Sequence, residues 1–189
     1  MTAGNHAGSS IASLLGPWLE DRIAGAAELR IDNFVEPRQG QSSETVLFDA
    51  NWREYGQWRE RGLVARIQRR TICPMLADVM FQHDVMKAIA IHSGVAVPAI
   101  AFVEPGGDVI GQPFFLMERL EGRVPSDFPL FHAHGWVADL AVAQRTGMWW
   151  NAIGEMTKLH RIDAANFAFI GDAKSEPGPR FYLRNFIGS

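Results

Sequence analysis

The sequence contains only one cysteine, Cys73, among 189 residues, so the chain cannot form an internal disulfide. A single thiol is compatible with a reducing compartment, and we expect a cytoplasmic protein. Lysine is also scarce, and arginine supplies most of the positive charge. The formal net charge of −3 provides no basic excess for nucleic acid or for an anionic membrane, so we expect neither as a partner.

The sequence also lacks recognisable targeting and membrane-spanning segments. Its first ten residues do not show the basic-then-apolar order of a signal peptide. The most apolar stretch, Val85–Val103, is interrupted by Lys87, His92, Gly94 and Pro98, so we predict no membrane span. An apolar content of 47% is sufficient for the core of one domain, or of one and a fraction.

The spacing of apolar residues predicts the order helix, three strands, helix, two strands, linker and helices. The predicted helices lie at 11–19, 77–92, 144–160 and 180–187, and the predicted strands at 29–35, 45–52, 63–68, 99–103 and 114–117. We interpret Arg53–Gly62 as a charged turn. The turn signal Glu104–Asp108 predicts that the last two strands form an antiparallel hairpin.

The chain is organised around PFFLMERLEGR, Pro113–Arg123. Its apolar run changes to charged residues at Glu118, which predicts a buried strand that runs into a loop. A core strand followed by a surface turn would explain the run by itself. However, backbone N–H and C=O groups at the end of a strand lack partners in the sheet, and a flat ligand could bind them.

Three further features allow two interpretations each. The small polar loop at Gly40–Ser43 is either a phosphate-binding loop or a plain hairpin turn. Arg66 alternates with apolar residues in LVARIQ, and it either is solvated or holds an anion in a cleft. Gln82 lies at the edge of the apolar face of a predicted helix, as an exposed amide or as an acceptor for a guanidinium.

Five segments, in this order and spacing, resemble the broad branch of bacterial phosphotransferase-like proteins in the aminoglycoside phosphotransferase family, which has the protein-kinase-like fold. They are QGQSSETVLF (Gln39–Phe48), LVARIQ (Leu63–Gln68), VAVPAIAFVE (Val95–Glu104), IGQPFFLMERLEGRVP (Ile110–Pro125) and WWNAIGEMTKLHRID (Trp149–Asp163). The resemblance implies an α+β fold: a protein-kinase-like N-lobe, with a five-stranded antiparallel sheet and one helix, followed by an incomplete helical C-lobe. We therefore expect a helical segment at 1–26, the N-lobe at 27–122, and a linker with the start of a truncated C-lobe at 123–189.

The resemblance also implies ATP as the cofactor and a small-molecule hydroxyl group as the acceptor. The candidate nucleotide-binding residues are Gly40, Gln41, Ser42, Ser43, Arg66, Gln82, Met117, Glu118 and Leu120. The first four would cover the phosphates. Arg66 would occupy the place of the phosphate-contacting lysine of kinases, and Gln82 that of its glutamate partner. Both are departures from the kinase pattern, because an arginine–glutamine pair is not an ion pair.

The other end of the nucleotide would meet the stretch around Glu118. The resemblance implies that Met117 lies at the back of the adenine pocket. It also implies that the backbone of Glu118 and Leu120 hydrogen-bonds the adenine edge.

Phosphoryl transfer also needs a carboxylate that orients the attacking hydroxyl group and ligands for Mg²⁺. In the family these come from an HGD-x-x-x-x-N element and a later acidic D-W motif. Neither motif occurs in this sequence. We therefore assign no catalytic residue and no metal ligand, and expect the Mg²⁺ ligands to come from motifs that this chain lacks.

Three functions follow from these observations. The first is the nucleotide-binding portion of an ATP-dependent small-molecule phosphotransferase. The second is a non-catalytic module that binds a nucleotide or a partner, and the third is an unrelated α+β ligand-binding domain.

Overall fold

A computed structural model of the chain describes residues 4–36, 44–68, 78–126 and 128–170. The helices are α1 (Gly4–Glu20), α2 (Val79–His92) and α3 (Val142–His160), and a 3-10 helix covers Ala164–Ile170. The strands are β1 (Ala26–Val35), β2 (Glu44–Glu54), β3 (Gln57–Ile67), β4 (Ile100–Glu104) and β5 (Phe114–Glu118). In the described ranges no helix combines the length and apolar character needed to cross a membrane.

The five strands form one antiparallel sheet in the order β1-β2-β3-β5-β4. The predicted α+β class with a five-stranded antiparallel sheet is therefore confirmed. The predicted hairpin of the last two strands is also present, since β4 pairs with β5 and Glu104 lies opposite Phe114. The Glu104 carboxylate accepts hydrogen bonds from the N–H groups of Gly106 and Gly107, both at 2.8 Å, which fixes the turn between these strands.

One face of the sheet, here called the core face, packs against α1. Its buried side chains alternate along each strand, as the period of two requires. The strands contribute Val46, Phe48, Ala50, Trp52, Leu63, Ala65, Ile67, Phe114 and Leu116, and the helix contributes Leu15, Trp18 and Leu19. The Trp18 ring meets Phe114 edge-on, with ring centroids 4.9 Å apart. The predicted alternation of LVARIQ is confirmed, because Leu63, Ala65 and Ile67 share this face.

The interpretation of Arg53–Gly62 as a charged turn was wrong. Only Tyr55 and Gly56, both with positive φ, form the turn, and β3 begins at Gln57. The charged side chains from 57 to 62 misled the prediction. They line the exposed end of a long hairpin, where a strand needs no apolar alternation.

The adjacent tryptophans of α3, Trp149 and Trp150, are exposed in the described part of the chain. The two side chains are 66% and 64% exposed, and α3 contains no buried residue. Helix α3 begins at Val142, two residues before the predicted start. The predicted loop at 171–179 and helix at 180–187 lie outside the described residues.

The chain divides into two compact units. One comprises residues 1–84 and 98–121, and contains α1 and the whole sheet. The other comprises residues 85–97 and 122–189 and contains α3. Within this second unit, Lys158 Nζ donates to the carbonyl oxygen of Gly94 at 3.2 Å and contacts Glu155 at 2.6 Å.

Leu116→Ala tests the importance of the core face for stability. Leu116 is fully buried between the sheet and α1, so we expect the free energy of unfolding to fall by about 2–5 kcal/mol. Urea unfolding followed by circular dichroism measures this loss. The matched control is Leu130→Ala, because Leu130 is 54% exposed and its truncation should change stability by less than about 0.5 kcal/mol. Equal effects of the two substitutions would contradict the assigned core.

Candidate functional site

The opposite face of the sheet, here called the site face, carries the polar residues of interest. The in-register pairing of β2 and β3 places Thr45 opposite Arg66, Leu47 opposite Val64 and Asp49 opposite Gly62. Strand β5 adds Phe115 opposite Arg66 and Met117 opposite Val64. Because paired residues of antiparallel strands project to the same side, these side chains share one face.

Arg66 and Gln82, which the sequence placed 16 residues apart, are in direct contact. Arg66 Nη2 donates to Gln82 Oε1 at 2.8 Å, and Arg66 Nη1 donates to Thr45 Oγ1 at 2.9 Å. Of the two interpretations of Gln82, the acceptor for a guanidinium is therefore the one that the structure shows. Thr45 was missed by the sequence analysis, because only the strand register brings it opposite Arg66.

The electrostatics of this cluster favour an anion. Burial lowers the pKa of the Arg66 guanidinium, but a guanidinium remains protonated at any ordinary pH. Its two side-chain partners among the described residues are neutral oxygens, and it forms no ion pair with a carboxylate there. A partly buried positive charge of this kind is stabilised when a negatively charged group binds beside it.

The start of α2 explains how Gln82 reaches Arg66. Asp78 caps the helix, since its Oδ1 accepts from the N–H groups of Met80 at 2.9 Å and Phe81 at 3.0 Å. Gln68, the residue after β3, accepts from the N–H of Val79 at 2.9 Å. These bonds hold the first turn of α2 beside the end of β3, so a side chain one turn further on meets Arg66.

An apolar row crosses the site face beside this cluster. It consists of Leu47 on β2, Val64 on β3 and Met117 on β5, which are consecutive partners in the sheet. Met117 was predicted from the sequence, whereas Leu47 and Val64 were missed. The alternation in LVARIQ could have identified Val64, because it shares the face of Arg66. Leu47 could be identified only from the pairing of β2 with β3.

The backbone of Glu118 is partly occupied by the sheet. Its N–H donates to the carbonyl oxygen of Ala99 at 2.9 Å, while its side chain forms an ion pair with Arg61, whose Nε lies 2.6 Å from Oε1. Because this N–H is bonded to Ala99, a ligand at the Glu118 backbone would meet the carbonyl oxygen, and this contact stays a prediction. Leu120 follows two residues later with a side chain that is 63% exposed.

A second polar cluster on the site face was not found from the sequence. Asp49 is only 5% exposed, and its Oδ2 accepts from Asn33 Nδ2 at 2.7 Å. Its Oδ1 lies 2.6 Å from Arg119 Nη1. The Asn33 amide and then the Arg119 guanidinium lower the pKa of Asp49, against the opposing effect of burial, and the Asp49 carboxylate in turn raises the pKa of Arg119. A glycine inside a strand, Gly62, was the available signal, because such a residue often marks a close approach by another group.

The predicted phosphate-binding residues Gly40, Gln41, Ser42 and Ser43 lie outside the described residues. Within the part of the chain that the structure describes, no group of three or more His, Cys, Asp or Glu side chains is placed to hold a metal ion.

The order of the five strands and the helix beside the sheet define the class of protein: an α+β fold that is consistent with a kinase-like N-lobe. A family model described as "Phosphotransferase enzyme family" matches residues 34–186. This match covers most of the chain, so the chain belongs to the phosphotransferase enzyme family. The structure is also similar to the crystal structure of a provisionally assigned aminoglycoside phosphotransferase from Ralstonia eutropha JMP134, with a TM-score of 0.54 and 22% sequence identity.

The structural similarity covers very different shares of the two chains. It covers 88% of this chain but 42% of the Ralstonia protein, so this chain spans about two fifths of the length of that relative. At 22% identity the similarity supports the fold alone. Family membership rules out the interpretation of the chain as an unrelated α+β domain.

Asp49→Asn tests the electrostatics of the second cluster. Because the folded-state pKa of Asp49 is below its unfolded value, the carboxylate stabilises the fold above about pH 4 and loses this effect as the pH falls through the folded-state pKa. At neutral pH we expect the substitution to lower the free energy of unfolding by about 1–3 kcal/mol. The difference from the wild type should shrink below about pH 4. Urea unfolding at a series of pH values measures both effects.

The control for this experiment is Asp32→Asn in the neighbouring strand. Asp32 is exposed and accepts a hydrogen bond from Asn51 Nδ2 at 3.0 Å, so we expect little change in stability at any pH. A stability difference for Asp49→Asn that is independent of pH down to about pH 3 would contradict a stabilising carboxylate.

Proposed function

We propose that this chain binds ATP along the site face, as the nucleotide-binding portion of an ATP-dependent small-molecule phosphotransferase. The observation that carries the proposal is the Arg66 guanidinium, held by Thr45 and Gln82 without a carboxylate partner among the described residues. Family membership supports the same conclusion, because phosphotransferases of this family take the phosphoryl group from ATP.

Arg66 would bind the phosphates. A guanidinium has five N–H donors in a planar fork, and Thr45 and Gln82 each occupy one of them. The other donors can bind phosphate oxygens, and charge-assisted bonds of this kind are stronger than neutral ones. In a lysine–glutamate pair the carboxylate would offset part of the charge. The neutral Thr45 and Gln82 orient the guanidinium and leave its full positive charge for the phosphates.

The apolar row would contact the base. Leu47, Val64 and Met117 lie side by side on three neighbouring strands and provide an apolar surface for one flat ring. Because Val64 precedes Arg66 by two residues on the same face of β3, base and phosphate contacts are adjacent. The Glu118 carbonyl oxygen and the backbone of Leu120 would recognise the edge of the ring.

The transfer step itself is proposed for a longer protein. The family's catalytic carboxylate and Mg²⁺ ligands belong to motifs that this sequence does not contain. A small molecule with a hydroxyl group would accept the phosphoryl group. A non-catalytic nucleotide-binding or partner-binding module is the alternative, and a cytoplasmic location stays a prediction.

A transfer assay separates these two alternatives. Radiolabelled γ-phosphate from ATP would be followed onto sugars, amino alcohols and hydroxy acids, with the 189-residue chain and with a longer protein that contains it. Transfer by the longer protein supports the phosphotransferase. Saturable ATP binding without transfer by either protein supports the non-catalytic module.

Arg66→Met tests nucleotide binding. Methionine retains an unbranched apolar side chain but has no hydrogen-bond donor and no charge. We therefore expect the Kd for MgATP to rise at least about tenfold. Isothermal titration calorimetry with the 189-residue chain measures this change. Circular dichroism establishes that the variant remains folded.

The matched control is Arg59→Met on the same strand. Arg59 lies at the exposed end of the hairpin and contacts Glu54 at 3.0 Å, so its loss should leave the Kd for MgATP within about twofold of the wild-type value. Absence of saturable MgATP binding by the wild type would overturn the proposed function. Wild-type affinity in Arg66→Met would remove Arg66 from the site.

A further inference from the structure

The structure assigns Arg119 as a positioning residue for recognition of the nucleotide base. Its ion pair with Asp49 holds the backbone of 118–120 in the orientation that reads the edge of the base. The inference rests on the proposed function, because it concerns the same nucleotide site.

Two consecutive side chains anchor this backbone from opposite faces of the sheet. Glu118 pairs with Arg61 on the core side, and Arg119 pairs with Asp49 on the site face. Successive residues of a strand point to opposite faces, so the two ion pairs hold one short segment from both sides. Arg61 lies on the neighbouring strand β3 and Asp49 on the next strand, β2, so the strands on this side of the sheet set the direction in which the chain leaves β5.

A backbone hydrogen bond also holds this segment in place. The N–H of Arg119 donates to the carbonyl oxygen of Gly62 at 3.0 Å. This N–H and the Glu118 carbonyl belong to the same planar peptide unit. The bond to Gly62 therefore fixes the orientation of the carbonyl that would meet the base.

Gly62 gives the Arg119 side chain its path to Asp49. A Cβ atom at position 62 would lie 2.8 Å from Arg119 Cζ and Nη2 and 3.0 Å from Nε. The guanidinium thus lies directly on the backbone of β3 and reaches Asp49, the residue opposite Gly62 on β2. Asn33 on β1 holds the other carboxylate oxygen at 2.7 Å. We call Asn33, Asp49, Gly62 and Arg119 the clamp.

The clamp shares no residue with the cluster of Thr45, Arg66 and Gln82, through which Arg66 would bind the phosphates. Loss of the clamp should therefore weaken contacts with the base and leave contacts with the phosphates in place. The readout that separates positioning from general stability is base selectivity, measured as the ratio of the Kd values for MgGTP and MgATP. Guanine carries a carbonyl group where adenine carries an amino group, so it cannot donate a hydrogen bond to the Glu118 carbonyl from that position.

The experiment compares Arg119→Met, Gly62→Ala and Arg119→Lys with the wild-type 189-residue chain by calorimetry. We expect Arg119→Met and Gly62→Ala to reduce the preference for ATP about tenfold, mainly through a higher Kd for MgATP. Arg119→Lys retains the charge and should recover part of the preference. The control, Arg59→Met, should keep the wild-type ratio.

Gly62→Ala is the sharpest variant, because it leaves all charges in the protein and displaces only the end of a flexible side chain. If circular dichroism shows that Arg119→Met does not fold, the result for Gly62→Ala alone tests the inference. A wild-type ratio in Gly62→Ala or in folded Arg119→Met, or no preference for ATP in the wild type, would overturn the role of the clamp while nucleotide binding stands. Absence of binding of either nucleotide by the wild type would instead overturn the proposed function.

Discussion

The register between β2 and β3 is the constraint on which the rest of the structure depends. Eleven consecutive pairs, from Glu44–Ile67 to Glu54–Gln57, run without a bulge. This register places Thr45 opposite Arg66 and Asp49 opposite Gly62. A slip of one residue would turn every side chain of one strand to the other face, and both polar clusters of the site face would be lost together.

The core face, rather than the polar contacts, holds this register. Burial of each large apolar side chain contributes about 1.5–3 kcal/mol, and Phe48, Leu63 and Leu116 are fully buried. A hydrogen bond in the polar clusters contributes about 1 kcal/mol net. The apolar alternation and the packing against α1 therefore determine the pairing, and the polar residues occupy positions that the core has already set.

The two arginines of the site face differ in electrostatic role because their partners differ. Arg119 faces the buried carboxylate of Asp49, which raises its pKa and offsets its charge within the fold. Arg66 faces the hydroxyl of Thr45 and the amide of Gln82, and burial lowers its pKa. The first arrangement suits a structural anchor, whereas the second leaves a positive charge available for an anionic ligand. An apolar row that ends at Met117 lies on the same face.

Local patterns in the sequence were enough to predict the order of strands and helices, the face shared by Leu63, Ala65 and Ile67, and the hairpin before Glu118, since each depends on residues close together in the chain. The family followed from the order and spacing of five segments along the chain. The contact of Arg66 with Gln82 followed from the family resemblance. Tertiary structure alone decided the length of the hairpin through Arg53–Gly62, the exposure of the α3 tryptophans and the pairing of Asp49 with Arg119. These features depend on which strand lies beside which, and on what covers a surface, and neither is encoded in local periodicity. Asp49 and Arg119 are 70 residues apart, and only the sheet order brings them across Gly62 into contact.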